Sequence, residues 1–297
     1  MLRSLFSAIS GLRANQTMLD VTGNNIANAN TVGFKASDVV FQDTLSQELA
    51  GASSPTAGPP PTGGINPMQV GLGVKVGAIT TNFNQGSSES TGIPTNLEIA
   101  GDGFFIIKSG ATQMYTRAGA FSFDDGWNLV SPDGAIVQGY GLDTTSGALK
   151  NAPGDPLVPI SLKSYVANPP GAAAGGSNPM ISYNIGADGV ITGVYQDGTK
   201  VPLFQVAMAG FSNPAGLEKV GDTSYVTSAN AKLDPTQIGT PGTGLRGTLV
   251  PGSVEASNVD LAKEFTNLII AQRGFQATSR VITTSDQVLQ DLVDLKR

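Results

Sequence analysis

Cysteine and histidine are both missing from this chain. Without cysteine there is no disulfide, no thiol nucleophile and no thiolate metal site. Without histidine the commonest general base and the commonest metal ligand are gone. Together these absences weigh against an enzyme, and no catalytic residue, metal site or cofactor is expected. Basic runs are also missing. Lys and Arg number 17 against 23 Asp and Glu, a formal net charge of −6, so neither nucleic acid nor an anionic membrane surface is an expected partner. No apolar run is long enough to cross a bilayer, and membrane insertion is not expected. The opening MLRSLFSAISGLRANQ is interrupted by Arg3, Ser4, Ser7 and Ser10, which leaves no apolar core for a cleaved secretory signal. Aromatic residues are sparse at 6%, so the core must rest mainly on aliphatic side chains.

What is present is glycine and proline, 38 and 18 of them, between two helical periodicities. The longer spans 258–297. Steps of three and four from Phe265 reach Leu268, Gln272, Phe275, Ser279, Ile282, Asp286, Leu289 and Val293, flanked by Leu261, Val281, Val288, Leu292 and Leu295. Roughly 36 residues at ~1.5 Å each make a rod of about 54 Å, too long for one small core. Only Gly274 argues against a helix within it, at a cost of about 1 kcal/mol relative to Ala. Near the amino terminus, Leu5, Ile9, Leu12, Gln16, Leu19, Gly23 and Ile26 follow the same alternation, with Leu2 and Phe6 beside them. The two helices can close one domain as an antiparallel pair, or serve as coiled-coil-like helices that pack against other copies. The stripe is thin and carries Gln16, Gly23, Gln272, Ser279 and Asp286, so the termini are expected to order fully only when neighbours cover them.

Residues 24–35 read NNIANANTVGFK. Four asparagines and a glycine favour a break out of the first helix, and a plain helix C-cap is one reading of it. The pattern running from Ser10-Gly11-Leu12 through 20–28 (DVTGNNIAN) to 31–35 (TVGFK) resembles the amino-terminal signature of bacterial flagellar rod and hook proteins. Residues 272–277 (QRGFQA) and 280–286 (RVITTSD) resemble that family's carboxy-terminal signature. The resemblance covers most of the chain, and it assigns the family's turn motif to Asn24, Asn25, Asn28, Asn30, Gly33, Phe34 and Lys35.

Between the ends, 51–64 (GASSPTAGPPPTGG) is a linker by composition, and 66–74 (NPMQVGLGV) after it resembles hook proteins more than rod proteins. From 74 the alternation is that of strands, with Asp133-Gly134, Asp188-Gly189 and Asp197-Gly198 as turns and Phe104, Ile106, Phe121 and Phe123 as core candidates. Residues 97–107 and 115–121 again resemble the family's β domain. A metal site on Asp102, Asp124, Asp125 and Asp133 is the alternative to plain turns. Gly242-Thr243-Gly244-Leu245-Arg246-Gly247 matches a dinucleotide fingerprint by letters, but it follows a loop and leads to no helix. Ser257 or Asn258 is the expected N-cap of the closing helix.

The expected architecture is α+β: a discontinuous axial helical layer from the N- and C-terminal helices, with an inserted antiparallel β-rich domain. Its parts are an axial helix and turn motif over 1–34, a connector over 35–73, a β-rich outer domain over 74–252 with a loop-rich insertion at 146–180, and an axial helix over 253–297. The resemblance implies a structural subunit of the flagellar hook, forming a curved hollow tube that passes torque from rod to filament. The assembly residues would be Leu5, Ile9, Leu12, Leu19, Ile26, Leu261, Phe265, Leu268, Phe275, Ile282, Leu289 and Leu292. The implied partners are further copies in a homopolymer, the distal rod protein, the hook cap and hook–filament junction proteins, and the flagellar type III export apparatus. A distal rod protein is the alternative within the family, and a secreted β-rich binding module the alternative outside it.

Overall fold

Both terminal periodicities form helices. In the computed structural model, which describes residues 2–55, 63–142, 149, 155–167, 169–170, 178–231 and 237–294, α1 spans Leu2–Ala27 and α2 spans Leu261–Asp294. The helix α2 starts on Asp260 rather than on Ser257 or Asn258. The Asp260 carboxylate accepts from the amides of Ala262 and Lys263 at 2.9 and 3.2 Å, and the Asp260 carbonyl accepts from Glu264 at 2.9 Å. Two otherwise orphaned amides at the helix start are satisfied by one side chain.

The chain divides into two units. One holds Met1–Ala27, Ser37–Asn82 and Val259–Arg297; the other holds Asn28–Ala36 and Phe83–Asn258. In the helical unit α1 and α2 run antiparallel. A Cβ on Gly11 would stand 3.2 Å from the Thr278 methyl, and one on Gly274 would stand 2.7 Å from the Asn15 amide oxygen. Gly274, which costs α2 local propensity, is therefore where the Asn15 side chain lies. Alongside the helices runs a two-stranded ribbon. Ser37–Asp43 pairs with Val74–Thr81, with a bulge between Val40 and Phe41, and Ser46–Ala50 pairs with Met68–Gly71. Three strands, Ser37–Asp43, Ser46–Ala50 and Met68–Gly71, thus lie within the expected connector over 35–73, and the boundary expected at 74 falls at the first residue of a fourth. Residues 56–62 of the proline-rich stretch lie outside the described residues.

The β unit is built on a sheet ordered Met180–Ile185, Val190–Tyr195, Lys200–Val206, Ile136–Gly141, Phe104–Ser109, Thr112–Thr116, Ser224–Val226, Glu218–Gly221, with short strands attached to it. Every pairing in the sheet is antiparallel. Strand Phe104–Ser109 shows why it holds. Phe105 and Ile107 enter one apolar cluster, with Leu97, Phe121, Val137 and Leu203, while Phe104 and Ile106 enter a second, with Tyr115, Tyr140, Phe211 and Tyr225. Side chains alternate between the faces of a strand, so this one is buried on both. Few as they are, the aromatics meet edge to face: Phe105 with Phe121, Phe104 with Phe211, Tyr115 with Phe211. Phe123, a core candidate by sequence, is only partly buried and packs on Tyr183. Residues 146–148, 150–154, 168 and 171–177 of the expected insertion at 146–180 lie outside the described residues.

Candidate functional site: the helix pair and the turn motif

The expected assembly residues were read from large apolar side chains, and their positions divide. Leu5, Ile9, Leu12, Leu19 and Ile26 of α1 and Leu268, Phe275 and Ile282 of α2 are half-buried. Leu261, Phe265 and Leu289 are exposed, and the side chain of Leu292 lies outside the described residues. What is fully buried in the helix pair is small or polar: Ala8, Ala14, Thr22 and Asn25 of α1, Glu264 and Ala271 of α2. Glycine at 11 and 274 allows the helices to approach closely, with the Thr278 methyl and the Asn15 side chain against them. Among the described residues, the large side chains of the alternation are at most half-buried in the single chain.

Its outer surface is the reverse. Phe265 is 51% exposed, Ile269 55% and Ile270 58%. Leu261, Phe265 and Ile269 follow one another at intervals of four and share a face. The ribbon continues the theme with Leu45, Leu49, Ile65, Met68 and Ile79 all exposed. Two-stranded ribbons are marginal in water, and one with apolar side chains on its surface needs a cover.

The turn motif divides between the units. Asn24 is exposed on the last turn of α1. Asn25 is buried, and its side-chain amide makes a two-way clasp with Ser37, donating to the Ser37 carbonyl at 2.8 Å and accepting from the Ser37 amide at 3.0 Å. Asn28 caps the turn that follows: its carbonyl accepts from the Thr31 amide and its side chain from the Thr31 hydroxyl, both at 3.1 Å. Asn30 is exposed. Gly33 takes φ +69°, and a Cβ there would stand 2.5 Å from the Ala118 nitrogen, so only glycine fits. Its amide donates to the Glu255 carbonyl at 2.8 Å. Phe34 is buried, with the Lys219 ammonium 4.1 Å from its ring centroid.

Lys35 ends the motif inside the β unit. Its side chain is fully buried, and Nζ lies 2.6 Å from Glu255 Oε1 and 2.8 Å from the Asn84 carbonyl. Glu255 Oε1 also accepts from the Gly86 amide at 2.8 Å, and Arg117 Nη1 lies 3.4 Å from its Oε2. Arg117 is closed in by the Gly101 carbonyl at 2.9 Å and the Phe104 ring at 5.3 Å. Burial lowers the pKa of both Lys35 and Arg117, against the pull of the Glu255 carboxylate. Two cations and one carboxylate, brought from positions 35, 117 and 255, make a buried cluster that locks the motif to the strand Ser253–Glu255. Ala36 extends the lock, donating to the Asn258 side chain at 2.8 Å. Lys35 was legible as part of the motif. Glu255 carried no local signal, because nothing in sequence pairs it with a lysine 220 positions away, and Arg117, 138 positions from Glu255, was legible only as part of the family-like stretch 115–121.

The other candidate sites take plain structural forms. Arg246 folds back over the glycine loop, donating to the carbonyls of Gln237 and Thr240 at 2.9 and 3.1 Å, and the loop leads into the strand Thr248–Pro251. The Asp124 carboxylate holds its own turn through the Asn128 amide and side chain at 2.7 and 2.8 Å, and Asp133 accepts from the Ser131 hydroxyl. Among the described residues no three metal-ligating side chains converge, and no helix is long and apolar enough to cross a membrane.

The features that stand out are the antiparallel helix pair and its apolar outer surface. The comparisons give the family of the chain. Residues 5–35 match the family model "Flagella basal body rod protein", 98–193 match "Flagellar hook protein FlgE/F/G D1 domain", and 250–295 match "Flagellar basal body rod FlgEFG protein C-terminal". The chain is 42% identical over 297 residues to the flagellar basal-body rod protein FlgG of Bacillus subtilis, covering all of both chains. It is 31% identical to the flagellar hook protein FlgE of Borreliella burgdorferi, again covering all of both, over an alignment of 446 positions. To the hook protein FlgE of Helicobacter mustelae it is 50% identical over 152 residues, half of this chain and 33% of that protein. The chain belongs to the flagellar basal-body rod and hook protein family, and is a structural component of the bacterial flagellum rather than an enzyme.

Proposed function

We propose that this chain is an axial subunit that polymerises with copies of itself, and that the polymer is the flagellar hook. The observation that carries the polymer is the exposed apolar surface of the helical unit, with Phe265, Ile269 and Ile270 each more than half exposed on one helix. An isolated chain holds that surface in water; a stack of copies removes it. Leu5, Leu12, Leu19, Ile26, Leu268, Phe275 and Ile282 then fill the helix layer from within, and Ile9, Leu261, Phe265 and Leu289 face neighbouring copies. The turn motif fixes where the chain leaves this layer for the β unit.

Two observations support the hook. The stretch NPMQVGLGV at 66–74 resembles hook proteins, and half of this chain is 50% identical to a hook protein. On this reading the polymer is a curved hollow tube lying outside the cell that transmits torque and conducts exported subunits. Its partners are the distal rod protein, the hook cap and hook–filament junction proteins, and the type III export apparatus. The second reading, a distal rod protein, is favoured by length. The rod protein of Bacillus subtilis aligns without lengthening this chain, whereas the Borreliella hook protein needs half as many positions again. Electron microscopy of basal bodies from a strain lacking this chain separates the two. Complete rods without hooks establish the hook role, rods that stop short establish the rod role, and unaltered rods and hooks overturn both.

A further inference from the structure

The helices of the axial unit differ in length, 26 residues in α1 and 34 in α2. Gly11 lies beside Thr278 and Asn15 beside Gly274. In an antiparallel pair each step back along α1 is a step forward along α2, which puts Leu2 level with about Gln287. The turns that follow run past the end of α1. There Leu289 and Val293 continue the face that Ala271, Phe275 and Ile282 turn toward α1, with no helix opposite, and are 37% and 66% exposed. Asp286 lies at the edge of that face, while Asp294 stands about 100° round the helix from Val293 and Asp291 on the far side.

On α1, away from its contact with α2, a groove of about 390 Å³ lies between the helix and the strand Val74–Thr81. Phe6, Ile9 and Val76 line it, Phe6 being 65% exposed, and the cations Arg13 and Lys75 stand at its rim. The segment of α1 that borders the groove, 6–17, is about 18 Å long, room enough for the unpaired end of α2, 286–294, which is about 13.5 Å long at ~1.5 Å per residue. An apolar face edged by a carboxylate and an apolar groove edged with cations match in character and sign.

We propose that the overhanging end of α2 in one copy docks in the groove between α1 and the ribbon of a second copy, with Leu289 and Val293 on Phe6, Ile9 and Val76, and Asp286 against Arg13 and Lys75. The inference rests on the polymer reading, and makes the contact head to tail: each copy offers one helix end and receives another, so the contact propagates without closing.

The absence of cysteine gives a clean test. Val293→Cys combined with Arg13→Cys, and Val293→Cys combined with Lys75→Cys, are assembled, oxidised and run on a non-reducing gel. The docking predicts a ladder of multimers for both pairs and none for any single variant. A third pair, Val293→Cys with Val220→Cys on the β unit, is expected to give no ladder. Polymers that form normally but yield only monomer bands from both groove pairs overturn the docking and leave the polymer reading standing. An unmodified chain that forms no polymer overturns that reading itself. Charge reversal supplies a second measurement: Asp286→Arg is expected to slow assembly at least tenfold, and adding Arg13→Asp to restore it. Failure of the second change to restore assembly counts against the pairing.

Discussion

The two units of this molecule bury opposite things. Among the described residues, every fully buried apolar side chain in the helical unit is an alanine, Ala8, Ala14 and Ala271, while the β unit buries Phe104, Phe105, Tyr140, Tyr195 and Leu203 to within 1% of complete exclusion. Exposure runs the other way. Phe6, Leu45, Ile65, Phe265, Ile270 and Val293 are each more than half exposed in the helical unit. A unit whose large side chains are inside is complete as a single chain. A unit whose large side chains are outside leaves apolar surface in water, and on the proposed polymer reading it is neighbouring copies that cover it.

The comparison is broken most severely from within the β unit. Replacing Glu255 by Gln leaves Lys35 and Arg117 buried without a counter-charge, and removing one partner of such a pair costs about 3–5 kcal/mol. Thermal unfolding of the β unit is expected to fall accordingly. Phe104→Ala is expected to cost a similar amount, about 3–5 kcal/mol, by opening a cavity among Phe83, Phe211 and Tyr225. Phe265→Asp sharpens the contrast. Because Phe265 is exposed in the single chain, monomer stability should move by no more than about 0.5 kcal/mol, yet polymer length measured by sedimentation or electron microscopy should collapse.

Alkaline pH gives a smaller, graded effect. Burial pushes Tyr115 and Tyr225 up from 10.0 to about 12. Their folded pKa values are raised above the unfolded ones, so the stability they contribute is fully present below pH 10 and is lost as pH rises through about 12. Lys35 works in the opposite direction below its ordinary 10.5, since burial favours its neutral form in the folded state. Tyrosinate absorbance and unfolding are therefore expected to appear together between pH 10 and 12, and Tyr225→Phe to weaken that dependence. The smallest effect is expected at Lys263, whose pair with Asp38 at 3.0 Å is exposed on both sides. Lys263→Met should change stability by under about 1 kcal/mol.

The sequence made some of this legible. Helical spacing located both helices, because a 3.6-residue period survives any packing partner. The asparagine-rich turn and Gly33 were legible because only a few residue types accept such backbone. Other features were not. The close approach of the helices was one, because Gly11 and Gly274, which permit it, read locally as defects inside a helix. The ribbon of Ser37–Thr81 was hidden because its two strands flank a proline-rich stretch that reads as a linker. The cluster of Lys35, Arg117 and Glu255 was invisible because charge pairing across a fold has no period. The Asp260 cap was missed for a simpler reason: three cap-forming residues, Ser257, Asn258 and Asp260, stand within four positions, and Asn258 is engaged with Ala36 instead.

The central claim is that the helical unit completes its core only with neighbouring copies. Hydrogen exchange, measured on the dilute monomer and on the assembled polymer, tests it most directly. The account predicts slow exchange in the β unit in both states, and fast exchange in α1 and α2 of the monomer that becomes slow in the polymer. Helices α1 and α2 as protected in the dilute monomer as in the polymer would contradict it.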